Sequence, residues 1–101
     1  MKKFSNPFLI KSRRFFDKRG FFQELFLQKN FKTKVIFTAL AFSKKNVIRG
    51  MHFQIKKKQT KIITVLSGKI LDISVNLRRN SKNFGKVYYF TMSEGESLYI
   101  P

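Results

Sequence analysis

The stretch Thr60–Leu77, TKIITVLSGKILDISVNL, decides the fold class. Its second half alternates strictly. Leu71, Ile73, Val75 and Leu77 share one face, and Ile70, Asp72, Ser74 and Asn76 share the other. Successive side chains of a strand point to opposite faces, so this period of two predicts a half-buried strand. The first half, KIITV, is rich in β-branched residues, which pack well on a pleated surface. Between the two runs, Ser67-Gly68-Lys69 predicts a hairpin turn that joins them.

The same grammar extends in both directions. KVIFTALAF (34–42), VIRGMHFQI (47–55), KVYYFTM (86–92) and SLYI (97–100) read as further strands. The clusters DKRG (17–20), SKKN (43–46), RRNSKNFG (78–85) and SEGES (93–97) read as turns. A short helix is the weaker expectation around Phe22–Asn30. The only prolines are Pro7 and Pro101, so nothing interrupts the middle of the chain. Short strands with turns at short intervals predict a mainly antiparallel β architecture, a sandwich or barrel. With 101 residues the chain forms one domain, 1–101. SLYIP reads as the start of a strand at the end of the chain. A sheet interrupted there is expected to leave an unpaired edge and half a core. The domain is therefore expected to be incomplete at its C-terminal side, or covered by a partner.

Composition narrows the function classes. The chain is 43% hydrophobic with 13 Phe, enough to build a core, and it has no Cys for disulfides or cysteine-ligated zinc. The apolar run near the N-terminus, PFLI, is too short for a signal peptide. No run reaches the length of a membrane span. The expectation is a cytoplasmic protein. The 22 Lys and Arg against 5 Asp and Glu give a net charge of +17, which favours polyanionic partners. The lysines are nevertheless spread along the chain, with KKK at 56–58 the longest run, as in a generally lysine-rich composition. SRRFFDKRGFF (12–22) interleaves basic and aromatic residues. That pattern permits a nucleic-acid module in which Phe stacks on bases. No RNP-type or helix-turn-helix pattern accompanies it, and the plainer reading places these Phe residues in a core.

The single histidine, His52, lies in VIRGMHFQ (47–54). Simple alternation puts Val47, Arg49, Met51, Phe53 and Ile55 on one face and Ile48, Gly50, His52 and Gln54 on the other. Arg49 among apolar neighbours is costly unless it meets an anion. A bulge at Gly50 would re-aim either side chain. The alternation leaves open whether Arg49 and His52 reach one cavity. Imidazole suits general-base work near neutral pH, although a lone His is more often structural. One His, no Cys and five acidic residues do not make a metal site. No Ser stands in a nucleophile elbow.

Four segments, in order, carry a resemblance: DKRGFFQELF (17–26), VIRGMHFQ (47–54), QTKIITVLSGKILDISVNLRRNSKNFGK (59–86) and LYIP (98–101). Together they resemble the dTDP-4-dehydrorhamnose 3,5-epimerase family, cupin-type jelly-roll β-barrel enzymes of nucleotide-sugar metabolism. The resemblance implies a dTDP-linked 4-keto-6-deoxyhexose as substrate, within dTDP-L-rhamnose-type and surface polysaccharide biosynthesis. It implies His52 as the base that removes a proton α to the C4 ketone and Lys61 as the cation that stabilises the oxyanion. Arg49 then holds substrate. Arg19 and Glu24 match positions that bind the nucleotide part, often across a dimer interface. No cofactor and no metal is implied; a homodimer is.

Three departures from the family pattern stand out. Phe37, Thr38 and Ala39 occupy the places of a Gln-x-Asn motif, and Thr60 stands where the family favours Gly. The family's general-acid Tyr and its His-orienting Asp have no counterpart, and Tyr88, Tyr89 and Tyr99 do not match that Tyr. Two alternatives therefore accompany the epimerase reading. One is a related 4-keto-sugar epimerase of altered specificity or a non-catalytic remnant. The other is the basic nucleic-acid-binding module.

Overall fold

The computed structural model describes residues 4–101. Among the described residues seven strands form: β1 (Phe8–Lys11), β2 (Arg14–Asp17), β3 (Gly20–Gln23), β4 (Lys61–Thr64), β5 (Lys69–Val75), β6 (Val87–Ser93) and β7 (Glu96–Ile100). They build three antiparallel sheets: β1-β7-β4, the β2–β3 hairpin, and the β5–β6 pair. The fold is mainly β and antiparallel, as the alternation predicts. No helix among the described residues is long and apolar enough to cross a membrane.

The partners differ from the local reading. Ser67–Lys69 does not close a hairpin. β4 pairs with β7, Ile63 opposite Leu98 and Ile62 opposite Tyr99. β5 pairs with β6, Ile73 opposite Tyr89. Val65 extends the first pairing: its N–H donates to the Glu96 carbonyl at 3.0 Å, and it accepts from the Gly95 N–H at 2.7 Å. At Gly68, φ of +86° turns the chain away into the second sheet. A run of β-branched residues specifies a strand, while its cross-strand side-chain pairs stabilise one partner over another. Here that partner is β7, whose Leu98 is fully buried.

β7 also corrects the expectation of an open edge at 97–100. It is the central strand, with β1 on one side and β4 on the other. Ser97 is buried, and its hydroxyl shares a 2.6 Å hydrogen bond with Thr64 Oγ1. Val65, Met92 and Leu98 form the core, with Leu9, Phe90 and Ile100 packed against it. Tyr99 stacks on Phe8 (centroids 5.1 Å apart) and on Phe31 (5.7 Å), and Phe31 stacks on Phe26 (5.5 Å).

Three further expectations are corrected. The segments 34–42 and 47–55 form no strands, and residues 32–61 are exposed throughout. Their alternation is strand-like, but no described strand lies beside them to complete a ladder. The helix around Phe22–Asn30 reduces to one 3₁₀ turn, Gln28–Asn30, which has no buried residues to anchor it. Phe15, Phe16, Phe21 and Phe22 do not fill a core; they stand exposed on the β2–β3 hairpin.

Side chains pin that hairpin to the β6–β7 turn. Arg14 Nε donates to Gln23 Oε1 at 2.9 Å, and its guanidinium lies 3.9 Å from the Phe21 ring centre. Gln23 Nε2 donates to the Gly95 carbonyl and to Ser12 Oγ, both at 2.8 Å. Gly95 has φ of +84°, and a Cβ there would meet Arg14 Nη2 at 2.8 Å and Gln23 Oε1 at 2.9 Å. Gly95→Ala is therefore expected to cost about 1–3 kcal/mol in urea unfolding, from left-handed strain added to a displaced latch. An unchanged midpoint would count against the latch.

Glu96 closes the same turn. Its Oε1 accepts the Ser93 N–H at 2.7 Å, and Lys11 Nζ lies 3.3 Å from its other oxygen. The Ser93 N–H, followed by Lys11, holds its carboxyl below the ordinary glutamate value. A carboxyl lowered in the folded state adds stability that is complete above the unfolded value. That stability is lost as the pH falls below about 4.3 and through the lower folded value. Glu96→Gln is expected to flatten the stability profile between pH 5 and 3, read by urea midpoints at each pH.

Candidate active site

The segment 47–55 carries both Arg49 and His52, and Gly50 shapes it. Gly50 has φ of +104°, a conformation that L side chains rarely adopt. A Cβ at Gly50 would lie 3.4 Å from His52 Nδ1, so the imidazole sits close over the glycine. No bulge forms, because residues 47–55 join no ladder; what Gly50 contributes is its positive φ. His52 is exposed and makes no side-chain hydrogen bond among the described residues.

Arg49 bridges this segment to the turn before it. Its Nε donates to Ser43 Oγ at 2.8 Å and its Nη2 to the Phe42 carbonyl at 2.7 Å. A guanidinium has five donors, so it retains donors for an anionic ligand. The turn it braces contains Asn46 in a left-handed conformation, φ 67°. Asn tolerates that region better than most residues.

Lys61 opens β4, opposite Ile100 on the central strand, and is exposed. The core that anchors β4 thus fixes its backbone, while the ammonium stays in solvent. Arg19 lies in the β2–β3 turn. Its backbone N–H and its Nη2 bond the two oxygens of Asp17 at 2.8 and 2.7 Å. The Arg19 side chain, then its N–H, lowers the Asp17 carboxyl below its usual range. Both partners are exposed, so the pair orients Arg19 more than it stabilises the chain. Asp17 opens the motif DKRGFFQELF, which gives it no role; the signal for one is its two-residue spacing to Arg19 across a turn. Glu24 follows directly on β3 and is exposed.

No hydrogen bond or ion pair joins any two of Arg19, Glu24, Arg49, His52 and Lys61 among the described residues. Arg49 and His52 share one segment, while Arg19 and Glu24 flank β3. Among the described residues, no three His, Cys, Asp or Glu side chains gather into a metal-binding group.

Comparison with known proteins places this geometry. The family model described as dTDP-4-dehydrorhamnose 3,5-epimerase matches residues 2–101. The chain belongs to that family. The epimerase of Shigella flexneri is 38% identical over 96 residues, which are 86% of this chain and 53% of that protein. The crystal structure of the Sulfolobus tokodaii epimerase superposes with a TM-score of 0.86 at 42% identity, covering 94% of this chain and 58% of that one. The Bacillus anthracis epimerase, solved with TDP and PPi bound, gives a TM-score of 0.73 at 32% identity, covering all of this chain and 63% of that one. The chain thus spans roughly half the length of many of its epimerase relatives and only 30% of the Neisseria gonorrhoeae protein. Its three separate sheets are a part of the family's cupin fold.

Proposed function

We propose that this chain is the base-bearing part of an epimerase acting on a dTDP-4-keto-6-deoxyhexose. The observation that carries the reading is His52, seated over Gly50 within VIRGMHFQ, in a chain matched by the epimerase model over residues 2–101. The TDP held by the Bacillus anthracis relative supports a thymidine-diphosphate sugar as ligand.

The C3 and C5 protons of such a sugar lie α to the C4 ketone and are acidified by it. His52 removes one, and the C–H electron pair passes into an enolate. The oxyanion at C4 is stabilised by Lys61, whose charge acts where negative charge develops. Delivery of a proton to the opposite face inverts the carbon and restores the ketone. Arg49 holds the sugar, and Arg19 and Glu24 hold the nucleotide. We place the enzyme in the cytoplasm, as a homodimer, without a cofactor.

The test is solvent deuterium incorporation. The chain, alone and joined to the remainder of a family member, is incubated in D₂O with the 4-keto sugar. Deuterium at C3 and C5 supports the reading, and its absence in both preparations sinks it. A second reading is favoured by Phe37-Thr38-Ala39, which lack the polar groups of Gln-x-Asn. Exchange at one carbon only, or with a different 4-keto sugar, would select an epimerase of altered specificity.

A further inference from the structure

We propose that Ser43 is a positioning residue for the nucleotide-sugar substrate, because it fixes which edge of the Arg49 guanidinium faces the ligand. This role rests on the substrate contact proposed for Arg49.

A guanidinium is a planar fork with two paired edges, one formed by Nε and Nη2 and the other by Nη1 and Nη2. Ser43 Oγ accepts from Arg49 Nε at 2.8 Å, and the Phe42 carbonyl accepts from Nη2 at 2.7 Å. Phe42 and Ser43 are neighbours in the chain, so together they occupy the Nε–Nη2 edge. The paired edge that remains is Nη1–Nη2, at the tip of the side chain. Two parallel N–H donors there fit two oxygens of one group, as on a phosphoryl.

The groups that hold Arg49 are neutral. Arg14 and Arg19, by contrast, bond the carboxylates of Glu94 and Asp17. A carboxylate cancels the charge that an anionic ligand needs. A hydroxyl and a carbonyl orient the side chain and leave that charge in place. The sequence keeps the surroundings free of acid: no Asp or Glu lies between Glu24 and Asp72. Lys44 and Lys45, in the connection that the clasp spans, add to the positive field. An arginine that is oriented but not neutralised is suited to a phosphate-bearing ligand.

The clasp is local. Lys45 and Asn46 form a turn, with Asn46 at φ 67°, and the turn folds Phe42 and Ser43 back beside Arg49. The two hydrogen bonds span six and seven residues, so the clasp needs no distant part of the chain. Phe37, Thr38 and Ala39 offer no amide side chain to the ligand, which leaves Arg49 a larger share of the hold on the sugar.

The experiment measures KM and kcat for deuterium incorporation into the 4-keto sugar, with the chain joined to the remainder of a family member. Ser43→Ala is expected to raise KM roughly five- to tenfold, since Nε loses its acceptor and the fork swings. Its kcat should change by less than about twofold, as for an interaction equal in ground and transition states. Ser43→Thr keeps the hydroxyl and should hold KM within about twofold of the parent. Ser43→Asp keeps an acceptor but cancels the charge, and should raise KM about tenfold or more. Arg49→Lys lacks the clasped edge; in that background Ser43→Ala should alter KM by less than about twofold. In the 101-residue chain itself, NMR should show the Arg49 Nε–H exchanging at least about threefold more slowly than that of exposed Arg79, and Ser43→Ala should remove the difference.

An unchanged KM in Ser43→Ala, while Arg49→Lys raises KM, overturns the positioning role and leaves the epimerase reading standing. An equal effect of Ser43→Ala in the Arg49→Lys background overturns it too, as does equal exchange of the two Nε–H groups. Arg49→Lys with the parent KM removes the substrate contact and the role of Ser43 together. Absence of label in the parent protein sinks the epimerase reading, and the role of Ser43 with it.

Discussion

His52→Ala is expected to slow deuterium incorporation at C3 and C5 by a factor on the order of 10²–10⁴, the usual contribution of a positioned general base. The measurement is mass or NMR detection of label in the 4-keto sugar, with the chain joined to the remainder of a family member. His52 is the only histidine of the chain, and no neighbouring acid or base contacts it among the described residues. No second group in VIRGMHFQ can take its place. Its position over Gly50 means that the substitution empties one site without disturbing a ladder, because residues 47–55 belong to none. Exchange that persists in the variant at the parent rate would remove His52 from the mechanism. A matched loss of binding to dTDP would point to a structural effect instead, so nucleotide affinity is read alongside and is expected to stay within about twofold.

The largest expected stability effect is at the centre of the β1-β7-β4 sheet. Leu98→Ala should destabilise the chain by about 2–5 kcal/mol, from lost burial plus the cavity left behind. Leu98 is fully buried, sits opposite Leu9 on one side and Ile63 on the other, and packs with Val65 and Met92. Natural domains have about 5–15 kcal/mol in total, so this one substitution is expected to bring the chain close to unfolding. Ile48→Ala is the control. It removes a side chain of similar size from an exposed position and is expected to change stability by less than about 0.5 kcal/mol. Urea unfolding of the two variants separates the readings. Equal midpoints would mean that the core is not where the burial places it.

The strands that the alternation predicted and the structure contains are 86–92, 97–100 and the two halves of 60–77, each within a residue or two of its ends. Every turn cluster also lies at a turn, because Gly, Asn and Ser tolerate the backbone that a turn requires. Gly68, Gly85 and Gly95 all have positive φ. Pairing was illegible. KIITV and KILDISV look like the arms of a hairpin, yet they belong to different sheets, since burial against Leu98 and Tyr99 outweighs proximity in the chain. The Phe pairs of β2 and β3 show the same limit. Hydrophobicity says that they want cover but not where cover will come from.

The site divides along the same line. VIRGMHFQ identified Arg49 and His52, and DKRGFFQE identified Arg19 and Glu24, because residue type and order are properties of the chain. The positive φ of Gly50 beneath the imidazole, the tie from Arg49 to Phe42 and Ser43, and the clasp of Asp17 on Arg19 depend on tertiary geometry. Local periodicity and motif order, which the sequence carries by itself, determined a β protein of the epimerase family with one histidine in its key motif. Tertiary structure alone decided which strands are partners, and that 34–55 stands uncovered. Both depend on long-range burial, and burial is a sum over the whole molecule that no single segment contains.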